Sequence, residues 1–245
     1  MLSQKLLSRL KNASAVTVLT GAGISAESGV PTFRGKDGLW ENNKVEEIAS
    51  PRALEENPEL FWKFYNWRKK LITEVKPNLG HYGLVDFERL YEDFFLITQN
   101  VDNLHRQAGS LKMVELHGNI FETKCQACGQ KYNGELIEGQ PLPRCENCGG
   151  TLRPDVVLFG ENLPEENLRK AQQAAAECEI FFSIGTSSLV EPAASLPYLA
   201  KANGSFIVEI NAEETPLSSH ADECLRGSAG KVLPALVILI EKLKA

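Results

Sequence analysis

Short apolar runs separated by amphipathic stretches dominate the hydrophobic pattern of this chain. The first run, Ala15–Thr20, is β-branched and is stopped by glycine, which is typical of a buried strand. Similar runs recur at Phe94–Thr98, Glu179–Gly185 and Ser205–Ile210. Helical patterns lie between them, notably over Pro164–Cys178 and Glu191–Ala202. Buried strands that alternate with helices predict an α/β fold, in which helices cover both faces of a doubly wound parallel sheet.

Two regions interrupt this alternation. Arg34–Leu79 contains no clear strand and includes an aromatic helical stretch at Leu60–Leu71. Phe121–Arg153 is rich in Gly, Pro and Cys and has little hydrophobic periodicity. We interpret them as a helical insertion over 35–79 and a second insertion over 121–153. The main domain would then comprise residues 1–34, 80–120 and 154–245.

Two stretches, Leu2–Lys11 and Val232–Ile240, bear on whether the protein is targeted to an organelle or anchored in a membrane. Leu2–Lys11 is basic, amphipathic and free of acids, so it resembles either a mitochondrial presequence or a first helix. We favour the helix, because the stretch runs directly into the first strand. Val232–Ile240 is apolar but is interrupted by Pro234, and it falls short of the ~20 residues that span a bilayer. We expect a cytoplasmic protein without membrane association.

Charge and cysteine usage narrow the class of protein further. The 26 basic and 32 acidic residues give a net charge of −6, which argues against general affinity for nucleic acids or anionic lipids. Cys178 and Cys224 lie in apolar contexts, and we interpret both as inert core thiols. The other four cysteines form two Cys-x-x-Cys pairs, namely Cys125, Cys128, Cys145 and Cys148. Such spacing predicts one tetrahedral zinc, which is structural because four thiolates leave no open coordination position.

A cysteine ribbon also suits a nucleic-acid-binding module. Between Phe121 and Arg153, however, four basic residues face four acids. A ribbon of balanced charge is a poor phosphate clamp, so we expect no direct nucleic-acid binding.

Gly21-Ala22-Gly23-Ile24-Ser25-Ala26 follows the first strand directly. Glycines at such a turn let the backbone approach a pyrophosphate, although a plain strand–helix turn has the same pattern. The ordinary dinucleotide fingerprint continues with a second strand about 20 residues on. Here the chain continues instead with a Gly/Pro loop that contains Phe33 and Arg34. We therefore expect the protein to bind its cofactor through a different set of contacts from those of a dehydrogenase.

Two further segments carry polar groups. Thr98–His105 (TQNVDNLH) ends a predicted strand with amides and a carboxylate, which suit ribose hydroxyls and a carboxamide. Helix capping is the alternative for Asp102 or Asn103 taken singly. His117 follows a short apolar segment and is either a structural histidine or a general base, for which an ordinary pKa near 6.5 is suitable.

Together these motifs resemble the sirtuin family. The resemblance rests on GAGISAESGVPTFRG at Gly21–Gly35, TQNVDNLH at Thr98–His105, His117-Gly118, the cysteine quartet and Gly185-Thr186-Ser187, which occur in sirtuin order over nearly the whole chain. Val101 departs from the isoleucine usual in the family, which removes a methylene from the expected nicotinamide pocket. The resemblance implies a Rossmann-like NAD domain and a small domain formed by a helical and a zinc-ribbon insertion.

The resemblance also implies roles for individual residues. The glycine loop should approach the pyrophosphate, Phe33 and Arg34 should close over the nicotinamide half, and Gly185, Thr186, Ser187 and Asn211 should face the adenosine. Gln99 and Asn100 should hold the nicotinamide ribose, and Asp102 the carboxamide. The implied NAD contacts are Gly21, Ala22, Gly23, Ser25, Phe33, Arg34, Gln99, Asn100, Val101, Asp102, Gly185, Thr186, Ser187 and Asn211.

The activity that the resemblance implies is NAD-dependent deacylation of protein lysine. The acyl oxygen attacks C1′ of the ribose as nicotinamide leaves. His117, with Asn100 as the second catalytic residue, would then deprotonate a ribose hydroxyl, which attacks the resulting imidate. The products would be free lysine, nicotinamide and O-acyl-ADP-ribose. The acyl-lysine substrate should lie between Val157–Glu161 and Ser188–Glu191, with Val157, Phe159, Gly160 and Val190 in contact.

Tyr65 and Arg68 bear on the acyl group. They stand three residues apart and should project from one face of a helix. They resemble the Tyr-x-x-Arg pair of sirtuins that act on succinyl- and malonyl-lysine, in which arginine and tyrosine meet the acyl carboxylate. The alternative has Tyr65 in the core and Arg68 at the start of a solvated run, Arg68–Lys70.

Three rival functions remain at this stage. A protein mono-ADP-ribosyltransferase would use the same cleft and leave label from NAD on protein. A hydride-transferring oxidoreductase would produce NADH, and a zinc-ribbon binding module would show salt-sensitive nucleic-acid affinity.

Overall fold

The computed structural model describes residues 2–32, 39–40, 43–132 and 143–245. Its strands are β1 (Ala15–Thr20), β2 (Leu39–Trp40), β3 (Asn43–Lys44), β4 (Asp93–Thr98), β5 (Met113–Glu115), β6 (Gly118–Cys125), β7 (Lys131–Tyr132), β8 (Leu152–Val156), β9 (Ile180–Ile184), β10 (Phe206–Asn211) and β11 (Glu223–Arg226). Its helices are α1 (Gln4–Asn12), α2 (Gly23–Ala26), α3 (Val45–Ile48), α4 (Pro51–Glu56), α5 (Pro58–Thr73), α6 (Leu79–Leu90), α7 (Leu104–Ala108), α8 (Glu165–Glu177), α9 (Leu196–Ala202) and α10 (Ala229–Lys244).

Six parallel strands form the main sheet in the order β11-β10-β9-β1-β4-β5. The chain begins in the middle at β1, adds β4 and β5 towards one edge, and then returns to add β9, β10 and β11 towards the other. The order of a doubly wound Rossmann sheet is thereby confirmed. Its direction reverses between β1 and β9, and ligands of such sheets bind outside the carboxyl ends of the strands at that point.

Both faces of the sheet are covered. Val16 and Val18 of β1 pack in one apolar cluster with α1, α6 and α10, whereas Leu19 packs in another cluster with α8 and α9. Because both faces are buried, the central strands are apolar without alternation, which is the pattern that made them recognisable in the sequence.

The two insertions pack together beside this sheet. Helices α3 to α5 form an apolar cluster with the beginning of β6 and the end of β8, through residues such as Phe61, Ile120 and Val156. The three-stranded sheet β7-β6-β8 is antiparallel. Because β6 and β8 extend across residues 120/121 and 153/154, the main domain and the zinc-binding insertion share continuous strands. The proposed boundaries remain predictions.

Several local expectations are corrected. The hairpin β2/β3 lies in the insertion expected to lack strands, because strands of two residues leave no periodicity to read. The helix expected over Glu191–Ala202 begins only at Leu196, after a 3₁₀ turn at Ala193–Ser195. Cys178 is buried as expected, but Cys224 is exposed, because it lies on the edge strand β11 where alternate residues face solvent.

The helix favoured near the amino terminus is confirmed. Leu2–Lys11 contains the helix α1, which buries Leu6 and Leu10. Among the described residues, no helix is long and apolar enough to cross a membrane.

A substitution at Gly185 can test how closely the loop after β9 must approach the turn after β1. It has φ +59°, and a Cβ at this position would lie 2.6 Å from the Ile24 nitrogen. Gly185→Ala should therefore destabilise the protein by about 2–4 kcal/mol in urea unfolding, because strain and overpacking add. Gly204→Ala is the matched control, since its φ of +92° is also left-handed but its Cβ meets nothing within 4 Å. Equal destabilisation by the two substitutions would contradict this account.

Candidate functional site

The loops that follow five parallel strands meet at one edge of the main sheet. Gly21 follows β1, Gln99 follows β4, His117 lies two residues after β5, Gly185 follows β9, and Asn211 ends β10. Because carboxyl ends of parallel strands share an edge, residues far apart in the sequence come together here.

Glycine brings the loops after β1 and β9 into backbone contact. The Gly23 N–H donates to the Gly185 carbonyl at 2.8 Å, and the Gly21 N–H donates to the Ile184 carbonyl at 3.1 Å. A Cβ on Gly23 would lie 2.7 Å from the Gly185 Cα, and a Cβ on Gly21 would lie 2.8 Å from the Thr186 Cα. Both positions therefore require glycine, and the half-buried Ala22 between them caps α2.

A buried polar cluster lies directly behind this turn. The Asn100 Nδ2 donates to the Gly21 carbonyl and to the Ser25 Oγ, each at 3.1 Å. The Ser25 hydroxyl in turn donates to the Asp102 Oδ2 at 2.7 Å. Burial raises the pKa of Asp102, against the hydrogen bonds from Ser25 and the Leu104 N–H. Ser25 belongs to one sequence motif and Asn100 and Asp102 to another, and the fold joins them.

Gln99, Thr186 and Asn211 connect the loops on the other side of the turn. The Gln99 Nε2 donates to the Thr186 Oγ1 at 3.1 Å, and the Asn211 Nδ2 donates to the Thr186 carbonyl at 2.8 Å. Ser187 follows Thr186 and is half-buried. Val101 is half-buried and packs against the apolar cluster of the helical insertion.

His117 is oriented by the main chain. Its Nδ1 lies 2.8 Å from the Gln99 carbonyl oxygen. A carbonyl only accepts, so Nδ1 carries the proton and Nε2 is the basic nitrogen. Burial lowers the pKa of His117, and the hydrogen bond to Gln99 opposes that shift only in part. The imidazole is therefore neutral at pH 7 and able to take up a proton.

Two other histidines, which are the alternatives to His117 as a base, lie at or beside the cluster. The His81 Nε2 lies 3.4 Å from the Ser25 Oγ, and the His105 Nε2 lies 3.0 Å from the Thr20 Oγ1. Their rings meet edge to face at a centroid distance of 4.8 Å. Burial lowers the pKa of His81 to about 4 and that of His105 well below its ordinary range. No spacing in the sequence links the two, because α6 and α7 bring them together.

Tyr65 and Arg68 are both buried on α5. The solvated alternative for Arg68 is therefore wrong. Burial raises the pKa of Tyr65 and lowers that of Arg68 to about 10, while the charge of Asp102 opposes the lowering. At neutral pH the structure thus holds a phenol and a charged guanidinium in buried positions on one helix, and the guanidinium interacts electrostatically with Asp102.

Each segment expected to hold a peptide has exposed apolar residues at its centre. The Val157 N–H donates to the His117 carbonyl at 2.8 Å, which ties one segment to the histidine. Phe159, Gly160, Leu189 and Val190 are exposed. Phe33 and Arg34 lie outside the described residues.

The four cysteines form a separate cluster at the end of the sheet β7-β6-β8. Their sulfurs all lie within 4.8 Å of one another, with 3.5 Å between Cys125 and Cys148 and 3.7 Å between Cys128 and Cys145. Zn–S bonds of about 2.3 Å give a tetrahedron with edges of about 3.8 Å. The donor set and its spacing fit one structural zinc.

Loss of one thiolate tests the zinc site. Cys148→Ser should abolish zinc retention and lower the Tm by roughly 10 °C, because the binding energy of a structural zinc is also folding energy. Metal analysis and calorimetry measure the two effects. Cys224→Ser, outside the cluster, should change neither. A zinc-free Cys148→Ser protein with the wild-type Tm would contradict a structural role.

Comparisons with known proteins agree with this geometry. Residues 21–192 match the Sir2 family. An NAD-dependent protein deacylase of Pyrococcus furiosus is 49% identical over 240 residues, which cover 96% of each chain. A solved Sir2 homologue–NAD complex is 44% identical with a TM-score of 0.93, and covers 100% of this chain and 96% of its own. A Sir2–p53 peptide–NAD+ complex is 33% identical with a TM-score of 0.87, over 97% of this chain and 98% of its own. This chain therefore belongs to the Sir2 family of enzymes, the sirtuins.

Proposed function

We propose that this sirtuin is an NAD-dependent protein-lysine deacylase that prefers acyl groups with a terminal carboxylate. The observation that carries the deacylase activity is the neutral His117, held beside the polar cluster at the topological switch point. A relative that is 49% identical and is described as an NAD-dependent protein deacylase supports the same activity.

The polar cluster has the chemistry needed to hold NAD. The turn Gly21–Gly23 leads directly into α2, and hydrogen bonds from the Gly21 and Gly23 N–H groups to the loop after β9 hold its backbone where we expect the pyrophosphate. Gln99 and Asn100 are suited to ribose hydroxyls, and Asp102 is suited to the carboxamide. Ser25 orients Asn100 and Asp102, while Thr186, Ser187 and Asn211 lie on the adenosine side. We extend the NAD site to Phe33 and Arg34 on the resemblance alone.

NAD supplies an electrophilic C1′ carbon and a nicotinamide leaving group. The protein's part is to orient the acyl oxygen towards that carbon, to exclude water and to take up one proton. His117 Nε2 accepts this proton from a ribose hydroxyl, because Nδ1 is fixed as a donor to Gln99. Asn100 positions the ribose for that step.

His117→Ala should lower kcat for deacylation by at least ~10²–10⁴-fold, because no other group takes up the proton. The affinity for NAD should remain, since the substitution leaves the cluster around Asn100 intact. Chromatography of the deacylated peptide and NAD titration by calorimetry measure the two effects. Because burial lowers the pKa of His117, the wild-type rate should persist below pH 6.5 and fall only as Nε2 becomes protonated.

His220→Ala is the control, since His220 is exposed and remote from the cluster. Near-normal turnover by His117→Ala would rule out its role as the base and would favour His105 or His81.

The substrate is an acyl-lysine in a protein or peptide. Phe159 and Gly160 are exposed in the segment that Val157 ties to His117, and Val190 is exposed in the second segment that we expect to contact the peptide. An extended peptide between them would form main-chain hydrogen bonds largely independent of its sequence. The peptide-bound Sir2 structure at 33% identity supports this class of substrate.

The acyl preference rests on the burial of Tyr65 and Arg68. A buried guanidinium is favourable beside an anion, and its planar donors pair with both oxygens of a carboxylate. The Tyr65 hydroxyl, held neutral by the raised pKa, is available to donate to the same group. Succinyl- and malonyl-lysine carry such a carboxylate, whereas acetyl-lysine does not.

Arg68→Met should reduce kcat/KM for a succinyl-lysine peptide by about 10–100-fold, because a charge-assisted bidentate contact is lost. The value for the matched acetyl peptide should stay near its starting level. Mass spectrometry of the two peptides measures both rates.

Lys70→Met provides the matched control, since it removes the same charge from the exposed surface of α5. If Arg68→Met lowers both activities together, or if the wild type prefers acetyl-lysine, Arg68 does not select the acyl group.

Transfer of ADP-ribose to a protein is the alternative reaction in the same cleft. It differs in its product, because label on the adenosine of NAD would stay on the acceptor protein. Deacylation releases that label as a small molecule.

A further inference from the structure

An ion pair between the buried Arg153 and the half-buried Glu161 closes the segment Val157–Gly160. The Arg153 side chain is only 3% exposed. Its Nη1 lies 2.5 Å from the Glu161 Oε1, and its Nη2 lies 2.8 Å from the Glu161 Oε2. The two groups thus meet in a bidentate fork, which fixes orientation as well as distance.

The same two side chains also bind the backbone of the segment. The Arg153 Nη2 donates to the Val156 carbonyl at 2.6 Å, and the Leu158 N–H donates to the Glu161 Oε2 at 2.9 Å. A turn bond from the Glu161 N–H to the Leu158 carbonyl, at 3.0 Å, completes the closure. The Arg153–Glu161 fork therefore fixes the backbone conformation of the segment, while Phe159 and Gly160 remain exposed to solvent.

The closed segment is hydrogen-bonded both to His117 and to the helical insertion. The Val157 N–H donates to the His117 carbonyl at 2.8 Å, and the Phe159 N–H donates to the Ala49 carbonyl at 2.9 Å. A shift of the segment would therefore strain its hydrogen bonds to His117 and to Ala49 of the helical insertion.

The ion pair also joins the segment to the cysteine cluster. Arg153 lies on β8 immediately after Leu152, whose side chain packs with Cys125 and Cys145. Strand β8 and the Arg153–Glu161 pair thus connect the cysteine cluster to the segment that contains Phe159.

We propose that the Arg153–Glu161 pair positions the segment Val157–Gly160 so that an acyl-lysine peptide adds to it in a single register. This inference rests on the proposed function. A peptide that adds to Val157–Gly160 needs the backbone groups of that segment at fixed positions. Without the carboxylate, the buried guanidinium loses both charge-assisted bonds and the Leu158 N–H loses its acceptor. The segment then loses the constraint that keeps its outward edge ready for a peptide.

Glu161→Gln tests the proposal, with Asp155→Asn as the matched control. Both substitutions change one carboxylate into an amide beside β8, but Asp155 pairs with Lys124 and Lys131 and not with the segment. The probes are fluorescein-labelled decapeptides with one central acetyl- or succinyl-lysine. Anisotropy gives the peptide Kd, steady-state rates give both KM values, and zinc content and Tm report on folding.

Glu161→Gln should raise the peptide Kd and KM about tenfold for both acyl groups, because a charged contact is weakened. The KM for NAD should change less than twofold, and zinc should be retained. Asp155→Asn should resemble the wild type. Arg153→Lys, which keeps the charge but loses the fork, should reproduce the effect and serves if Glu161→Gln folds poorly.

Unchanged peptide affinity in both fork variants would overturn the proposal. A joint loss of zinc, Tm and affinity for both NAD and peptide would also overturn it, because that pattern marks a merely structural pair. A wild-type enzyme that turns over neither peptide would instead refute the proposed function.

Discussion

The close contact between the turn after β1 and the turn after β9 sets the geometry on which the site depends. Gly21 and Gly23 meet the backbone at Gly185 and Thr186 at distances that leave no room for a Cβ. This contact lies where the winding of the sheet reverses, so it fixes how near the polar loops of the two halves approach. The hydrogen bond from Gln99 to Thr186 spans the halves at that spacing. A methyl group added at one of these glycines would therefore move Gln99 and Thr186 apart, even without touching either side chain.

Burial then decides the charge state of the groups around this contact. It holds His81, His105 and His117 neutral, raises the pKa of Asp102, and leaves Arg68 charged but with a lowered pKa. The low dielectric that favours neutral groups also strengthens every interaction of the remaining charges. The site therefore combines a neutral base with a buried cation, and this combination suits proton uptake on one side and anion binding on the other.

The sequence was informative where local chemistry is dictated locally. The apolar runs of β1, β4, β9 and β10 were recognisable because both faces of the sheet are buried, and the Cys-x-x-Cys spacing reflects the knuckle that each pair forms. The short strands β2, β3 and β7 were missed because two residues show no period. Cys224 was assigned wrongly because an edge strand can be apolar on its inner side alone. Composition does not reveal which strand lies at an edge.

Contacts between distant segments could not be predicted in the same way. Nothing near Arg153 in the sequence indicates that its charge is matched by Glu161, because the fork depends on the turn between them. The meeting of His81 and His105 likewise depends on how α6 and α7 pack. The polar residues expected at the site were named from motifs, whereas the hydrogen bonds that join Ser25, Asn100 and Asp102 required the fold.

The tie between His117 and the Gln99 carbonyl has a consequence for how such an enzyme can diversify. The group that holds the imidazole belongs to the main chain, and every amino acid possesses it. The tautomer of His117 therefore does not depend on any side chain of α5, Tyr65 and Arg68 included. In the proposed function, acyl preference and proton uptake would thus rest on separate parts of the structure, so that one could change during evolution while the other is kept.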